Sequence, residues 1–81
     1  MRVTVRLFAR LRDLAGSGEL LRHIEAPARA IDVWQGLVAE FPGMAAYERT
    51  MSVAVNAEYA KLGSPVTDGD EVAFLPPVSG G

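Results

Sequence analysis

The sequence predicts an α+β fold in which one main helix packs on a mixed sheet of four or five strands. Three observations lead to this prediction. Residues near both ends of the chain alternate between apolar and other side chains, as strands do. Residues 31–41 instead place apolar side chains at helical spacing. With 81 residues, the chain can bury one modest core, so the helix and the sheet must share it.

The first part of the chain reads as a strand, a short helix and a second strand. VTVRLF places Val3, Val5 and Leu7 on one face of a strand. ARLRDLAG then has helical spacing, and Gly16 is suited to end that helix. ELLRHIEA lies between this glycine turn and Pro27 and alternates again, which favours a second strand.

The main helix is predicted from Ile31 to Phe41. Trp34 lies on its apolar stripe and is expected in the core. Ala30 occupies the expected cap position, where its side chain cannot accept a hydrogen bond, so a weak helix start is predicted. Pro42 ends the helix.

The last part of the chain supplies the remaining strands. MSVAVN is a third strand, and a turn at Asn56 leads into a short strand over residues 59–62. Asp68-Gly69 predicts a hairpin turn before EVAFLP, which places Phe74 and Leu75 on opposite faces. A helix between an early hairpin and later strands gives the β-grasp, or ubiquitin-like, order, with the first and last strands parallel at the sheet centre. Residues 1–75 are predicted as the domain and residues 76–81 as an extended tail.

Composition excludes several classes of function. The net charge of −2 argues against nucleic-acid binding, which depends on clustered cations. The absence of cysteine excludes disulfides, thiolate metal sites and thiol nucleophiles. No apolar run approaches the roughly 20 residues of a membrane span, and the alternating N-terminus does not resemble a signal peptide. We therefore expect a cytoplasmic protein that does not bind membranes.

The side chains offer no catalytic or cofactor site that the sequence can define. His23 is the only histidine, and the sequence has no cysteine or second histidine that could share a metal ion with it. No serine has a base other than His23 that could activate its hydroxyl group. DGDE groups three carboxylates, but it lacks the further oxygen ligands that calcium requires. We expect no bound cofactor or metal, which leaves the C-terminal stretch PPVSGG as the remaining candidate.

Two interpretations of PPVSGG are open: a flexible end without a function, or a tail whose terminal carboxylate reacts. Gly80 and Gly81 lack a Cβ, so they can enter a narrow channel and approach a reacting centre. Pro76 and Pro77 end strand pairing and direct the chain outward, and six residues can span roughly 20 Å. A carboxylate is a poor electrophile, but joined to AMP it accepts a sulfur nucleophile and becomes a thiocarboxylate.

VTDGDEVAFLPPVSGG, together with VAVNAEY and VRLFARLRDLAG, closely resembles the small, MoaD-type sulfur carrier subunits of molybdopterin synthase. The resemblance spans the whole chain and is most specific over residues 68–81. It implies that an E1-like, MoeB-type enzyme uses ATP to adenylate Gly81, and that a sulfurtransferase system supplies the sulfur. The tail then enters a large, MoaE-type subunit and gives sulfur to cyclic pyranopterin monophosphate in molybdenum cofactor biosynthesis.

The resemblance also implies a division of labour. Acid–base side chains are expected in the large subunit, so this chain is a sulfur donor rather than the catalytic subunit, and the assembly is expected to contain two small and two large subunits. The partner-binding residues that it implies are Phe8, Arg12, Leu75, Pro76, Pro77, Val78 and Ser79. Phe8 and Leu75 could instead belong to the core, and Arg12 could be a solvated arginine.

Three alternatives stay open. A thiamine-type sulfur carrier uses the same chemistry with another acceptor, although such chains are usually shorter and lack the double proline. A ubiquitin-like modifier would join Gly81 to lysines of other proteins. An interaction module with an inert tail would still work with a residue added after Gly81, whereas a carrier would not.

Overall fold

The computed structural model describes residues 1–77 of the chain. Val78, Ser79, Gly80 and Gly81, to which the sequence assigns the reactive tail, lie outside these residues. The elements are β1 (Arg2–Leu7), α1 (Ala9–Ala15), β2 (Glu19–His23), β3 (Ala28–Arg29), α2 (Ala30–Glu40), a 3₁₀-helix (Pro42–Tyr47), β4 (Ser52–Val55), β5 (Glu58–Ala60), β6 (Pro65–Val66) and β7 (Glu71–Leu75). Across residues 1–77, no helix has the length and apolar character needed to cross a membrane.

The main sheet has five strands in the order β2-β1-β7-β4-β5. The two central strands, β1 and β7, are parallel and pair Val5 with Val72, while every other pair in this sheet is antiparallel. Parallel neighbours require a crossover, and here the chain between them includes α2. The predicted β-grasp with parallel terminal strands is confirmed.

The core lies between one face of this sheet and α2. Val72 and Phe74 of β7 are both 0% exposed, because alternate residues of a strand point to the same face. Trp34 of α2 is also 0% exposed, and its ring centroid lies 5.1 Å from that of Phe74. Its indole Nε1 donates a hydrogen bond of 2.9 Å to Oε1 of Glu48, which satisfies the one polar atom of the ring. The prediction that Trp34 belongs to the core is confirmed.

The start of α2 differs from the prediction. The cap residue is Arg29 rather than Ala30, which is the first helical residue and fully buried. The carboxylate of Asp32 accepts a hydrogen bond of 2.8 Å from the Arg29 N–H. The next two N–H groups donate to carbonyls of the loop 62–64 at 2.9 and 2.8 Å. The predicted weak start is therefore wrong, because a distant loop supplies acceptors that a cap side chain would otherwise provide.

Two features of the chain escape the sequence patterns. The strands β3 and β6 pair with each other in a separate two-stranded sheet, and each has only two residues, too few to show alternation. The Asp68-Gly69 turn is present, with Gly69 at φ +88°, but it is not a hairpin turn. It connects β6 to β7, which belong to different sheets, so the hairpin prediction is wrong.

Candidate functional site

The face of the main sheet that points away from α2 carries a shallow trough. Strand register aligns one residue from each strand in a row across this outer face: Glu19, Arg6, Ala73, Ala54 and Tyr59. The two central members of the row are alanines, whereas Tyr59 at the edge is 83% exposed. Small residues in the middle and larger ones at the sides make the centre of the face concave.

The trough, called here the outer depression, has a volume of about 300 Å³. Its lining residues come from four strands and their adjoining turns, and they are Arg6, Phe8, Ala54, Ala57, Tyr59, Glu71, Ala73 and Leu75. This volume is at the lower limit of small-ligand pockets. An apolar floor with aromatic side walls on an open sheet face suits a protruding apolar side chain of another protein.

Phe8 and Leu75, two of the predicted docking residues, meet in the outer depression. Phe8 has extended backbone angles (φ −129°, ψ 154°), so it continues the alternation of β1 and falls on the face opposite to buried Leu7. Its side chain is 38% exposed, and Leu75 is half-buried on the same face. The alternative that these two residues belong to the core is therefore wrong.

Charged groups form one side of the depression. The guanidinium carbon of Arg6 lies 5.9 Å from the centre of the Phe8 ring, within the range of a cation–π contact. The same guanidinium lies 3.8 Å from a carboxylate oxygen of Glu19 and 3.7 Å from one of Glu71. Such exposed ion pairs contribute little stability, so their main effect is to hold Arg6 beside the apolar patch.

A strained turn closes the far end of the depression. Asn56 and Ala57, which connect β4 to β5, both have positive φ, 51° and 69°. The Asn56 side chain donates to Oδ1 of Asp70 at 2.9 Å and accepts from the Glu71 N–H at 2.9 Å, which ties the turn to β7. The hydrogen bond from Asn56, followed by that from the Thr67 backbone, lowers the pKa of Asp70.

Arg12, the third predicted docking side chain, does not line the outer depression. It is exposed on α1, and its Cδ would lie 3.4 Å from a Cβ added at Gly18. Gly18 accepts a hydrogen bond from the N–H of Leu7, which pairs with Phe74. Arg12 is therefore at the same end of the sheet as Leu75 but on the β2 side, away from the outer depression, and its role in docking stays a prediction.

The two prolines follow β7 directly. β7 ends at Leu75, and Pro76 and Pro77 have no regular secondary structure, with Pro76 half-buried and Pro77 exposed. The chain thus leaves the sheet at the edge of the outer depression. The roles expected for residues 78–81 fall outside the described residues and stay predictions.

Sequence reasoning missed most of the depression. Alternation places Leu75 on the face opposite to Phe74, but no pattern in the sequence selects Arg6, Tyr59 or Ala54. The available signal for Tyr59 was an aromatic residue in the short strand predicted over residues 59–62. Its place beside Ala54 depends on strand order, which alternation within a single strand does not reveal.

Comparisons with known proteins agree with this architecture. Residues 5–81 match the model of the ThiS family. The chain is 34% identical over 83 residues to a molybdopterin synthase sulfur carrier subunit from Chlamydomonas reinhardtii, and the match covers 100% of both chains. It is also 34% identical over 85 residues to small archaeal modifier protein 1 from Haloferax volcanii, covering 94% of this chain and 97% of that protein.

Solved structures give the same result. The crystal structure of SAMP1 from Haloferax volcanii matches with a TM-score of 0.85 and 32% identity, covering 100% of each chain. The protein–protein complex of subunits 1 and 2 of the molybdopterin-converting factor from Helicobacter pylori contains a chain that matches with a TM-score of 0.67, 26% identity and 100% coverage of both. This chain therefore belongs to the ThiS family of β-grasp proteins, and it is similar over its whole length to sulfur carrier subunits of molybdopterin synthase.

Proposed function

We propose that this chain is the sulfur carrier subunit of a molybdopterin synthase. Gly81 is adenylated by an E1-like, MoeB-type enzyme, converted to a thiocarboxylate, and delivered to a MoaE-type large subunit. There the sulfur passes to cyclic pyranopterin monophosphate. The observation that carries the proposal is the outer depression at the point where the chain leaves β7, in a protein whose full-length relatives are named as such carriers.

The position of the outer depression links the docking of the large subunit to the delivery of the C-terminal tail. A partner that covers Phe8 and Leu75 fixes the residue from which the tail starts. Gly81 follows Leu75 by six residues and can therefore reach at most about 20 Å into that partner. Pro76 and Pro77 have fewer conformations than other residues, which reduces the entropy lost when the tail is held in a channel.

The proposed chemistry consists of two substitutions, the first at the α-phosphorus of ATP and the second at the carboxyl carbon of Gly81. A Gly81 carboxylate oxygen attacks the α-phosphate of ATP, and pyrophosphate leaves. Hydrosulfide, HS⁻, released by the sulfurtransferase system, then attacks the acyl carbon, and AMP leaves with the electrons of the broken C–O bond while the proton is lost to solvent. The resulting thiocarboxylate is ionised at neutral pH and is the nucleophile in the transfer. This chain has no cysteine and one histidine, so we assign the acid–base groups to the partner enzymes.

The assembly that we propose contains two carrier and two large subunits, located in the cytoplasm. Its support is indirect: the similar chain from Helicobacter pylori occurs in a complex of subunits 1 and 2 of a molybdopterin-converting factor. The apolar outer depression is suited to such a subunit contact, because apolar residues concentrate at the centre of stable interfaces.

A reconstituted transfer assay tests this function. The thiocarboxylated chain is mixed with the large subunit and cyclic pyranopterin monophosphate, and formation of the sulfur-containing pterin is followed by mass spectrometry. The matched control carries one additional residue after Gly81. We expect the control to bind the large subunit and to give no product. Product from the extended chain would support an inert tail, and product only with a thiazole-forming acceptor would support the thiamine-type carrier.

A second function, protein modification, is favoured by one finding. Small archaeal modifier protein 1 from Haloferax volcanii and the sulfur carrier subunit from Chlamydomonas reinhardtii are each 34% identical to this chain. Here the activated Gly81 would be joined to lysine side chains of other proteins. Tryptic peptide mapping of cellular proteins for lysines that carry residues 62–81 as a branch tests it, because trypsin cleaves after Lys61 and no later Lys or Arg precedes Gly81. A dedicated sulfur carrier leaves no such branch.

A further inference from the structure

We propose that the free edge of β2 binds a second copy of this chain, so that two main sheets join edge to edge into one continuous sheet. β2 is the first strand in the order β2-β1-β7-β4-β5, and within residues 1–77 it pairs only with β1. The unpaired edge of a strand is a template for another strand. This inference goes beyond the proposed sulfur-carrier function and does not depend on it.

Backbone hydrogen bonds show which residues of β2 face its free edge. At one end, the Ile24 N–H donates to the Met1 carbonyl at 2.9 Å, and at the other end the Leu7 N–H donates to the Gly18 carbonyl at 2.9 Å. In an antiparallel pair, alternate residues direct their backbone groups toward the neighbouring strand and away from it. The even-numbered residues of this stretch therefore face β1, and the odd-numbered residues of β2 direct their N–H and C=O groups to the free edge.

The middle of this edge has unused hydrogen-bonding groups. Within residues 1–77, the Leu21 N–H and both backbone groups of His23 take part in none of the hydrogen bonds. The Leu21 carbonyl accepts one bond of 3.2 Å from Nη1 of Arg22 and has a second lone pair. The Glu19 N–H donates to Oγ of Ser17 at 3.2 Å, and that hydroxyl donates to the Glu19 carbonyl at 2.8 Å. The edge is thus occupied at Glu19 and open at Leu21 and His23.

The side chains at this edge do not protect it. Leu21 pairs with Thr4 on the outer face of the sheet and is 52% exposed. Unpaired edge strands are commonly protected by a lysine, a proline or a bulge, and an exposed leucine has the opposite effect. Glu19 and His23 are exposed on the same face, because each lies two residues from Leu21. An apolar side chain is therefore flanked by a carboxylate and an imidazole.

This pattern complements itself when two copies pair antiparallel about a twofold axis at Leu21. The axis places Leu21 opposite Leu21 of the second copy and, at two equivalent positions, Glu19 opposite His23 of the second copy. The residues with outward backbone groups then face one another, as an antiparallel ladder requires. A carboxylate accepts a hydrogen bond from an imidazole N–H, whereas an axis at Glu19 would oppose two carboxylates. The complementary charges therefore favour a second copy of this chain and define the register.

The surroundings of the edge leave room for this pair. On the inner side, a groove of about 160 Å³ lies between β2 and α2, and Gly36 contributes to its lining. A Cβ added at Gly36 would meet no other atom of residues 1–77 within 4 Å. Arg22 lines the same groove and is held there by its contact of 2.6 Å with Glu40. On the outer side, Glu19 stays 67% exposed although Arg6 lies 3.8 Å away, so its carboxylate can face a second copy.

Pairing through β2 leaves the outer depression open. The depression is lined from β1, β7, β4 and β5 and their adjoining turns, and none of its lining residues belongs to β2. The twofold axis is perpendicular to the joined sheet, so both depressions lie on the same side of the pair. The pair can therefore present two docking sites, whereas association through the outer faces would cover them.

The contact is small, so the association is expected to be weak. A pair of five-residue strands buries less than the roughly 1,200 Å² that is typical of stable interfaces. We expect a dissociation constant on the order of 0.1 mM. The pair should therefore form in concentrated solution and dissociate on dilution.

Sedimentation equilibrium of the full chain tests the pairing between about 10 µM and about 1 mM, on either side of the expected dissociation constant. L21K places two ammonium groups opposite each other at the axis. H23E opposes two carboxylates, and E19K/H23K opposes two ammonium groups, at each outer position. An equimolar mixture of these two variants restores opposite charges at both positions. F8A, which truncates a side chain of the outer depression, is the matched control, and circular dichroism verifies that each variant is folded.

We expect the wild-type chain and F8A to dimerise alike and L21K to stay monomeric at about 1 mM. H23E alone and E19K/H23K alone should associate about tenfold more weakly than the wild type, and their mixture should recover to within about threefold of it. A wild-type chain that is monomeric at about 1 mM, loss of the dimer in F8A, or a mixture that associates no better than its components would overturn the inference.

Amide hydrogen exchange identifies the occupant of the edge independently. The Leu21 amide should exchange about fivefold more slowly at about 1 mM than at about 10 µM, because it donates to the second copy when the pair forms. Slowing that appears only after the large subunit is added would assign the edge to that subunit and would also overturn the inference.

Discussion

Along β7, Val72 and Phe74 are completely buried against α2, whereas Ala73 and Leu75 lie on the opposite face and remain partly accessible. The two faces arise from alternate residues of the same five strands, yet their composition differs. The inner face carries large apolar side chains. The outer face has alanines at its centre, and Arg6 and aromatic residues at its sides.

This difference separates stability from recognition. Burial of large apolar side chains supplies most of the free energy of folding, so the inner face determines whether the chain folds. The outer face contributes less burial, and its concave centre and apolar ends are free to contact another protein. Substitutions on the two faces should therefore have separable effects, and the following predictions test that separation in order of decreasing effect.

The largest effect is expected on the inner face. F74A removes a fully buried aromatic ring that contacts Trp34, so the free energy of unfolding should fall by about 3–5 kcal/mol. Denaturant titration followed by circular dichroism measures the loss. L75A, the adjacent residue on the outer face, should change the same quantity by less than about 1.5 kcal/mol. Equal losses in the two variants would show that the faces are not separable.

On the outer face, binding rather than folding should change. F8A and L75A each truncate an apolar side chain that lines the proposed contact, so affinity for the large subunit should fall about tenfold or more. Titration calorimetry measures it. The control is L21A, since Leu21 is a 52% exposed residue on the same face that does not line the depression. If L21A weakens binding as much as L75A does, the outer depression is not the docking site.

The turn beside the depression should respond in the opposite direction. Ala57 adopts φ 69°, a left-handed conformation that glycine adopts without the steric cost of a Cβ. A57G should therefore raise the free energy of unfolding, by about 1 kcal/mol, measured by thermal and denaturant unfolding. A57V, which worsens the Cβ clash, is the paired variant and should lower it. A loss of stability in A57G would contradict the account of strain at this turn.

The smallest effect concerns pH. Hydrogen bonds from Asn56 and the Thr67 backbone lower the pKa of Asp70, so its contribution to stability is present above about pH 4 and is lost as the pH falls through the lower value of the folded state. D70N should reduce stability near neutral pH by less than about 1 kcal/mol, because the carboxylate is partly exposed. The difference from wild type should shrink in acid. A difference independent of pH would assign the effect to packing instead.

Local patterns in the sequence were sufficient for the elements that obey them. Alternation in VTVRLF and EVAFL predicted the two central strands, and the apolar stripe around Trp34 predicted α2. The resemblance directed attention to Phe8 and Leu75, which the structure brings into one depression. These features depend on residues close in sequence or on motifs, and both can be recognised in a single chain.

Long-range pairing could not be predicted in the same way. The strands β3 and β6 are two residues each, and they pair across more than 30 positions. The acceptors for the first N–H groups of α2 come from the loop 62–64, which no cap rule would suggest. The row that joins Arg6 to Tyr59 requires the complete strand order. In each case the deciding contact is tertiary, and it overrides the local preference.

The most direct test of the sulfur-carrier account is the intact mass of the chain after incubation with its E1-like enzyme, ATP and a sulfur source. Fragmentation of the product locates any change along the sequence. The account predicts a mass gain equal to replacement of one oxygen by sulfur, confined to Gly81. An unchanged mass, with no adenylate detectable while ATP is present, would contradict the central claim that this chain carries sulfur on its last residue.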